Sequence, residues 1–536
     1  MAPSLEPVTR RSISAILIVI TIAVVFARIV SAQNLWEPVR NKNAEDVDTF
    51  APSVWPKTRP NPVPTFGSND RSRWATIHAL VHDGTYVIGE RDPEAVSPSN
   101  PYGNKGLIFD NDGWFTIDAV LNPETHKFYS SKPPFLSTIL AGEYWLLHEI
   151  FGWSLKSDSG SDRPDDRWTV VRVMLLSVNA LPMLVYLVLL ARLLDDYGTT
   201  DWGRLFVLGS ACFGTMLLPF AITLNNHSIA TCTALFGLYP ALRILQSGSA
   251  AGEPVVVGLV PDSPAPWQFV LAGFFSSFTA CTELPALSFT LLLFALLLMR
   301  FWRQTLLFFV VPALVPIAMF LLTNFLAIGE FVPAYEKTET VWYQYPGSIW
   351  NRKEREERAE QARQEGRPVW EFRNIDWAWH PQGAHESKTA YAFHLLVGHH
   401  GLFSLMPIFL ISLAGIGICA WRARQGGIAN LLRGPPMIVA AFIALVLLVV
   451  IVGFYIYRTS NYGGFCNGPR WLMWLAPFLL LAMLPAADWL AERRWGRWLG
   501  YACLAVSVFS MNYWTWNPWR HPWIYNWMDA NGWLQY

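Results

Sequence analysis

Charge is scarce in this chain: only 15% of its 536 residues are Asp, Glu, Lys or Arg, and forty of each sign cancel. No net field points to nucleic acid or to an anionic surface. Cysteine is sparse as well. Of the six present, Cys212, Cys232, Cys281, Cys419 and Cys503 lie inside apolar runs, Cys466 falls in a polar loop, and no Cys-x-x-Cys pair occurs. They read as small hydrophobes rather than as a disulfide or metal framework. Also missing are an internal repeat of the kind transporters carry and the glycine-rich turn that cradles a nucleotide phosphate. What is abundant is apolar surface: 52% of the chain is hydrophobic and 15% aromatic, the composition of a polytopic membrane protein.

A helix crossing hydrocarbon needs about 20 mostly apolar residues, because its backbone polar groups must be satisfied internally. Eleven such spans are predicted, at 12–32, 168–194, 204–224, 227–247, 268–282, 285–303, 304–327, 401–421, 436–457, 470–488 and 497–513. The predicted fold class is therefore an all-α polytopic membrane protein. The stretch 268–303 reads either as two helices or as one kinked at Pro285. The first span ends in Val30-Ser31-Ala32, which has the look of a cleavage site, but its length favours a retained anchor.

Sidedness follows from Lys and Arg in short loops. Arg10, Arg11, Arg300, Arg303, Arg422, Arg424, Arg433, Arg493, Arg494 and Arg497 mark one face as cytoplasmic. The chain then divides into a cytoplasmic N-terminus (1–11), a first span (12–32), an outer loop (33–167), spans (168–327), a second outer loop (328–400), further spans (401–513) and an outer Trp-rich tail (514–536). For this bookkeeping to hold, 135–153 must not cross, and it reads as an interfacial or re-entrant helix.

Within the first outer loop, 33–67 is rich in Pro, Asn and Asp and reads as irregular. A helix is expected from about Asp70, with Trp74, Ile77, Leu80 and Val81 on one strip, ending at His82-Asp83-Gly84. In the second outer loop 352–358 reads as a solvated helix with i,i+4 pairs and no chemistry. The imidazoles after it lack the spacing of a zinc site. Ionisable groups kept beside a bilayer are costly, and their default reading is functional. Such groups recur here as Asn69-Asp70-Arg71-Ser72-Arg73-Trp74 and Tyr129-Ser130-Ser131-Lys132-Pro133-Pro134.

These two elements resemble the first outer loop of GT-C-type polytopic glycosyltransferases, in particular the protein O-mannosyltransferase and aminoarabinose lipid A transferase superfamily. Asn461-Tyr462-Gly463-Gly464 followed by Gly468-Pro469-Arg470-Trp471 is similar to the arginine-aromatic element before a late span in that superfamily. Two departures stand out: Arg71 replaces the second acid of the family's Asp-Glu pair, and Asn225-Asn226-His227 stands where relatives often carry another acid.

The resemblance implies a multi-pass protein of a bacterial inner membrane with an outer-face site. It implies transfer of a sugar from a polyprenyl-phosphate donor to a lipid, polysaccharide or protein acceptor, with inversion. Asp70 is then the expected base, and Lys132, Arg470 and Arg73 the expected phosphate ligands. Asn226, His227, Glu283 and Tyr129 are candidate substrate contacts, with Glu283 a replacement for the missing acid. No cofactor and no metal ligand is predicted. Asp110, Asp112 and Asp118 read as solvated loop acids, with divalent-ion binding the lesser reading. The alternatives are a lipid or solute transporter and a catalytically inactive member of the same fold.

Overall fold

The computed structural model describes residues 5–35, 62–98, 100–110, 114–156, 165–247, 264–337, 340–348, 350–364, 387–424, 435–459 and 461–534. Helix α1 (Pro7–Ser31) leads into a two-residue strand β1 (Asn34–Leu35), which pairs antiparallel with β2 (Pro62–Val63). Helix α2 (Ser68–His82) follows, then strands β3 (Val87–Arg91), β4 (Asn104–Lys105), β5 (Ala119–Leu121) and β6 (Lys127–Ser130). These four form an antiparallel sheet in the order β4-β3-β6-β5. The described chain is mostly helical, as expected, with this small sheet added between α2 and the next helix; its strands of two to five residues are too short to declare a period.

The rest of the described chain is helical: α3 (Pro134–Phe151), α4 (Arg167–Tyr197), α5 (Asp201–Phe213), α6 (Asn226–Ser247), α7 (Pro266–Thr282), α8 (Leu284–Ile328), α9 (Arg352–Gln364), α10 (Ile408–Ala423), α11 (Pro436–Arg458), α12 (Arg470–Ala491), α13 (Arg494–Asn512) and α14 (Trp523–Ala530). Helix occurs at every predicted span. Among the described residues, length and apolarity mark seven segments as able to cross a membrane: α1, α4, α5 with its extension to Phe220, α6, α8, α11 and α12. The predicted spans 285–303 and 304–327 are the two arms of α8, which turns back on itself at Phe301 (φ −138°, ψ 56°) and sets the Phe294 and Phe309 rings 5.9 Å apart. Glu283 itself breaks 268–303 into α7 and α8, its backbone extended at φ −135°, ψ 95°.

Helices α6 and α12 are buried on nearly all sides, so they form the centre of the bundle. Contacts between helices are close. A Cβ at Gly415 would lie 1.9 Å from the Ala482 carbonyl oxygen, so α10 and α12 can touch there only through glycine. Helix α3 packs Leu140 and Tyr144 inward, leaves Trp145, Leu146, Ile150 and Phe151 outward, and is tied to α4 by Ser177 Oγ donating to Glu143 Oε1 at 2.5 Å. The six cysteines are all free thiols. Helix α9 forms where the mixed-charge run predicts it, with Lys353 and Glu357 3.8 Å apart. The Trp/His stretch 370–385 lies outside the described residues.

Candidate functional site

The polar elements between residues 66 and 132 meet the ends of α6 to α8 and the loop before α12. Helix α2 begins after Gly67 and turns Asp70 inward at 1% exposure. One Asp70 oxygen accepts the Phe66 N–H at 2.8 Å; the other accepts Trp74 Nε1–H and the Leu224 N–H, both at 2.9 Å. Burial pushes this carboxyl up to about 6, against the pull of those three donors and of Arg71. In this arrangement Asp70 fastens α2 to the turn that opens α6. Three of its lone-pair directions are occupied, which is a structural use of the residue expected to be the base.

One helical turn on, Arg73 lies 2% exposed. Its Nη1 donates to the Asn69 carbonyl at 2.9 Å and its Nη2 to Asn226 Oδ1 at 2.6 Å. Asn226 Nδ2 in turn donates to the Thr282 carbonyl at 2.9 Å and to Glu283 Oε1. His227 Nδ1 meets the same Glu283 oxygen. Asn225, by contrast, is a helix cap: its Oδ1 accepts the Ser228 N–H at 2.8 Å. Burial lowers Arg73 to about 10, while Asp118 opposes the shift more than any other charge and nearby Arg470 adds to it. Arg73 stays charged at neutral pH.

Lys132 sits just before α3, with Pro133 extended at ψ 131° and Pro134 in the first helical turn. Its Nζ pairs with Asp118 Oδ1 at 2.7 Å. Burial lowers the ammonium's affinity for a proton, Asp118 opposes that, and Arg73 and Arg470 reinforce it. Asp118 is therefore a site residue, a correction to its reading as a solvated loop acid. Its carbonyl accepts Ser72 Oγ at 2.7 Å and the Ser131 N–H at 2.9 Å, so α2, β5 and β6 all hold it. Strand register accounts for this placement. Ala119-Val120-Leu121 and Phe128-Tyr129-Ser130 pair as a hairpin with Ala119 opposite Ser130, which sets Asp118 across from Ser131 and Lys132. Tyr129, Ser130, Lys132, Thr76 and Tyr86 line a small pocket together with Asn324 and Ile328 of α8.

Arg470 arrives from the opposite side. The loop before it turns at Gly463 (φ +99°), where a Cβ would lie 3.1 Å from Arg470 Nε. The guanidinium lies 4.8 Å from the Trp519 ring centre, and Trp519 packs edge-on against Phe220. Part of the tail expected as an aromatic belt thus reaches into the site. Arg470 Nε and Nη1 are buried with no hydrogen-bond partner, and Arg470 forms no ion pair among the described residues.

The structure therefore brings together Asp70, Arg73, Lys132, Arg470, Asn226, His227 and Glu283, with Tyr129 on the adjoining cavity wall. Sequence reasoning missed Asp118 and Trp519. Among the described residues no group of three or more His, Cys, Asp or Glu is arranged to hold a metal ion.

No family model matches the chain, and no curated protein matches it. Among solved structures it is similar to the oligosaccharyltransferase AglB of Archaeoglobus fulgidus in complex with an inhibitory peptide and a dolichol-phosphate (12% identity, TM-score 0.45, 98% of this chain and 57% of that one). It is also similar to the oligosaccharyltransferase of that organism tethered to an acceptor peptide (11% identity, TM-score 0.47, 98% and 57%) and to the apo form (13% identity, TM-score 0.44, 97% and 57%). The chain spans little more than half the length of these structures.

Proposed function

We propose that this chain is an integral membrane glycosyltransferase that takes a sugar from a polyprenyl-phosphate donor and transfers it to an acceptor hydroxyl at the outer face of the membrane. The observation that carries the reading is Arg470. A buried guanidinium with two unpaired nitrogens is costly unless an anion completes it. Arg73 and Lys132 flank it closely enough to shift each other's proton affinity.

Three cations within electrostatic reach of one another suit a phosphate: arginine offers a planar fork to its oxygens and lysine a point charge. A phosphate leaving group gains negative charge as the glycosidic bond breaks, so cations placed in advance lower that barrier. Trp519 holds the Arg470 plane by cation–π contact. The Lys132–Asp118 pair keeps the ammonium in place until the donor arrives.

The lipid tail of such a donor needs an apolar path. The pocket beside Lys132 is bounded by α8, whose Leu321, Leu322, Phe325 and Leu326 are exposed. The experiment is structural: with polyprenyl phosphate bound, the phosphate density is expected between Lys132 and Arg470. Density elsewhere, with both side chains unmoved, contradicts the reading.

A further inference from the structure

We infer that a carboxylate–histidine dyad, Glu283–His227, with His227 Nε2 as the general base, activates the acceptor in this protein. The inference rests on the donor reading above and assigns the proton acceptor that it leaves open.

The first argument is elimination among carboxylates at the site. Asp70 already accepts from Phe66, Trp74 and Leu224 and is 1% exposed. Asp118 is neutralised by Lys132 at 2.7 Å, and an ion-paired carboxylate is a weak base. Glu283 is engaged through Oε1 by Asn226 and His227.

The second argument is the orientation of the imidazole. His227 Nδ1 faces Glu283 Oε1 and has no other partner, so a proton on Nδ1 belongs to that contact and leaves Nε2 its lone pair, which nothing ties among the described residues. A carboxylate that fixes tautomer and ring plane is what a histidine base needs. The ring is 3% exposed, so it is shielded from bulk water yet lies in the electrostatic reach of Arg73 and Arg470.

The third argument is linkage to the phosphate cations. Arg73 Nη2 binds Asn226 Oδ1 at 2.6 Å, and Asn226 Nδ2 binds the oxygen of Glu283 that meets His227. The proton acceptor and one phosphate ligand are thus parts of one rigid relay at the start of α6. The Asn-His pair that stands where an acid was expected supplies both.

In the step proposed, the acceptor O–H proton passes to Nε2 and the acceptor oxygen forms a bond to the anomeric carbon. The bond from that carbon to the phosphate oxygen breaks, its electron pair staying on the lipid phosphate beside Lys132, Arg73 and Arg470. The imidazolium, stabilised by Glu283, later loses its proton to water. A histidine base of this kind contributes about 10²- to 10⁴-fold.

The test uses the full chain in lipid nanodiscs. Nitrogen-15 NMR of labelled histidine, with His227→Gln supplying the assignment, is expected to show the Nδ1–H tautomer at His227 and its loss in Glu283→Gln. An Nε2–H tautomer in the wild type overturns the dyad. Polyprenyl phosphate is expected to bind His227→Gln within about 3-fold of wild type, while transfer from polyprenyl-phosphate sugars slows by about 100-fold or more. Wild-type turnover by His227→Gln overturns the base assignment and leaves the donor reading standing. Failure of the wild type to bind polyprenyl phosphate overturns the donor reading, and with it the transfer step assigned to the dyad.

Discussion

Where α1 begins, Arg10 meets Asp195 and Asp201 at 3.0 Å, Arg204 meets Asp201 at 3.2 Å, and Asp488 accepts the Thr199 and Thr200 N–H groups at 2.8 and 2.9 Å. Where α2 docks, at the other end of the same helices, Arg470 has no such partner and Arg73 is held by neutral Asn oxygens. Both ends spend charge in a chain that has little of it. At the first end Arg10 is answered by Asp195 and Asp201 of other helices and Asp488 by the backbone donors at the start of α5, so these groups act as an anchor joining α1, α4, α5 and α12. At the second the cations outnumber the carboxylates close enough to pair with them, which is the condition of a binding site.

Breaking the anchor has the largest expected effect on stability. Asp488→Ala strands two backbone donors and the Thr200 hydroxyl in a position 9% exposed, and is expected to cost about 3 to 4 kcal/mol. Thermal unfolding in detergent measures this, and polyprenyl phosphate binding by the surviving folded fraction is expected to be unchanged.

Asp70 comes next. Its folded pKa of about 6 lies above the ordinary 3.8, so between these values the folded state holds a proton that the unfolded state has lost. Stability should therefore fall as pH rises from about 4 to 6 and level off above, by about 3 kcal/mol at most, at 1.36 kcal/mol per unit. Asp70→Asn is expected to flatten that part of the profile; an unchanged profile would show that Asp70 is not its source.

At the open end Arg470→Ala is expected to weaken polyprenyl phosphate binding by about 100-fold, the scale of a charge-assisted contact, with an unchanged melting temperature. Smallest is Lys353→Ala on α9. That pair is solvent-exposed on both sides, and its loss should change stability by about 0.5 kcal/mol or less.

The apolar runs carried the helical part of the fold because a span must satisfy its own backbone, and every predicted interval is helical. The separation of 285–303 from 304–327 was legible in the same way, and the turn between the two arms of α8 falls at Phe301. The sheet was missed because β4 to β6 are shorter than a window in which alternation can be counted. At the site, the motifs named Asp70, Arg73, Lys132 and Arg470, and the fold brings them together from positions 400 residues apart in number. Asp118 was hidden by the hairpin register. Trp519 was hidden because nothing local marks which tryptophan of a Trp-rich tail turns inward. The use of Asp70 was not legible either, since its three donors come from Phe66, Trp74 and Leu224, one of them a backbone group on a distant turn.

The most direct measurement compares binding of polyprenyl phosphate and of the matching polyprenol, which lacks only the phosphate, to wild type and to Arg470→Ala in nanodiscs. Convergence of Arg470, Arg73 and Lys132 on one anion predicts that the wild type strongly prefers the phosphate and that Arg470→Ala loses most of that preference while still binding the tail. Equal affinity of the wild type for the two lipids would contradict it.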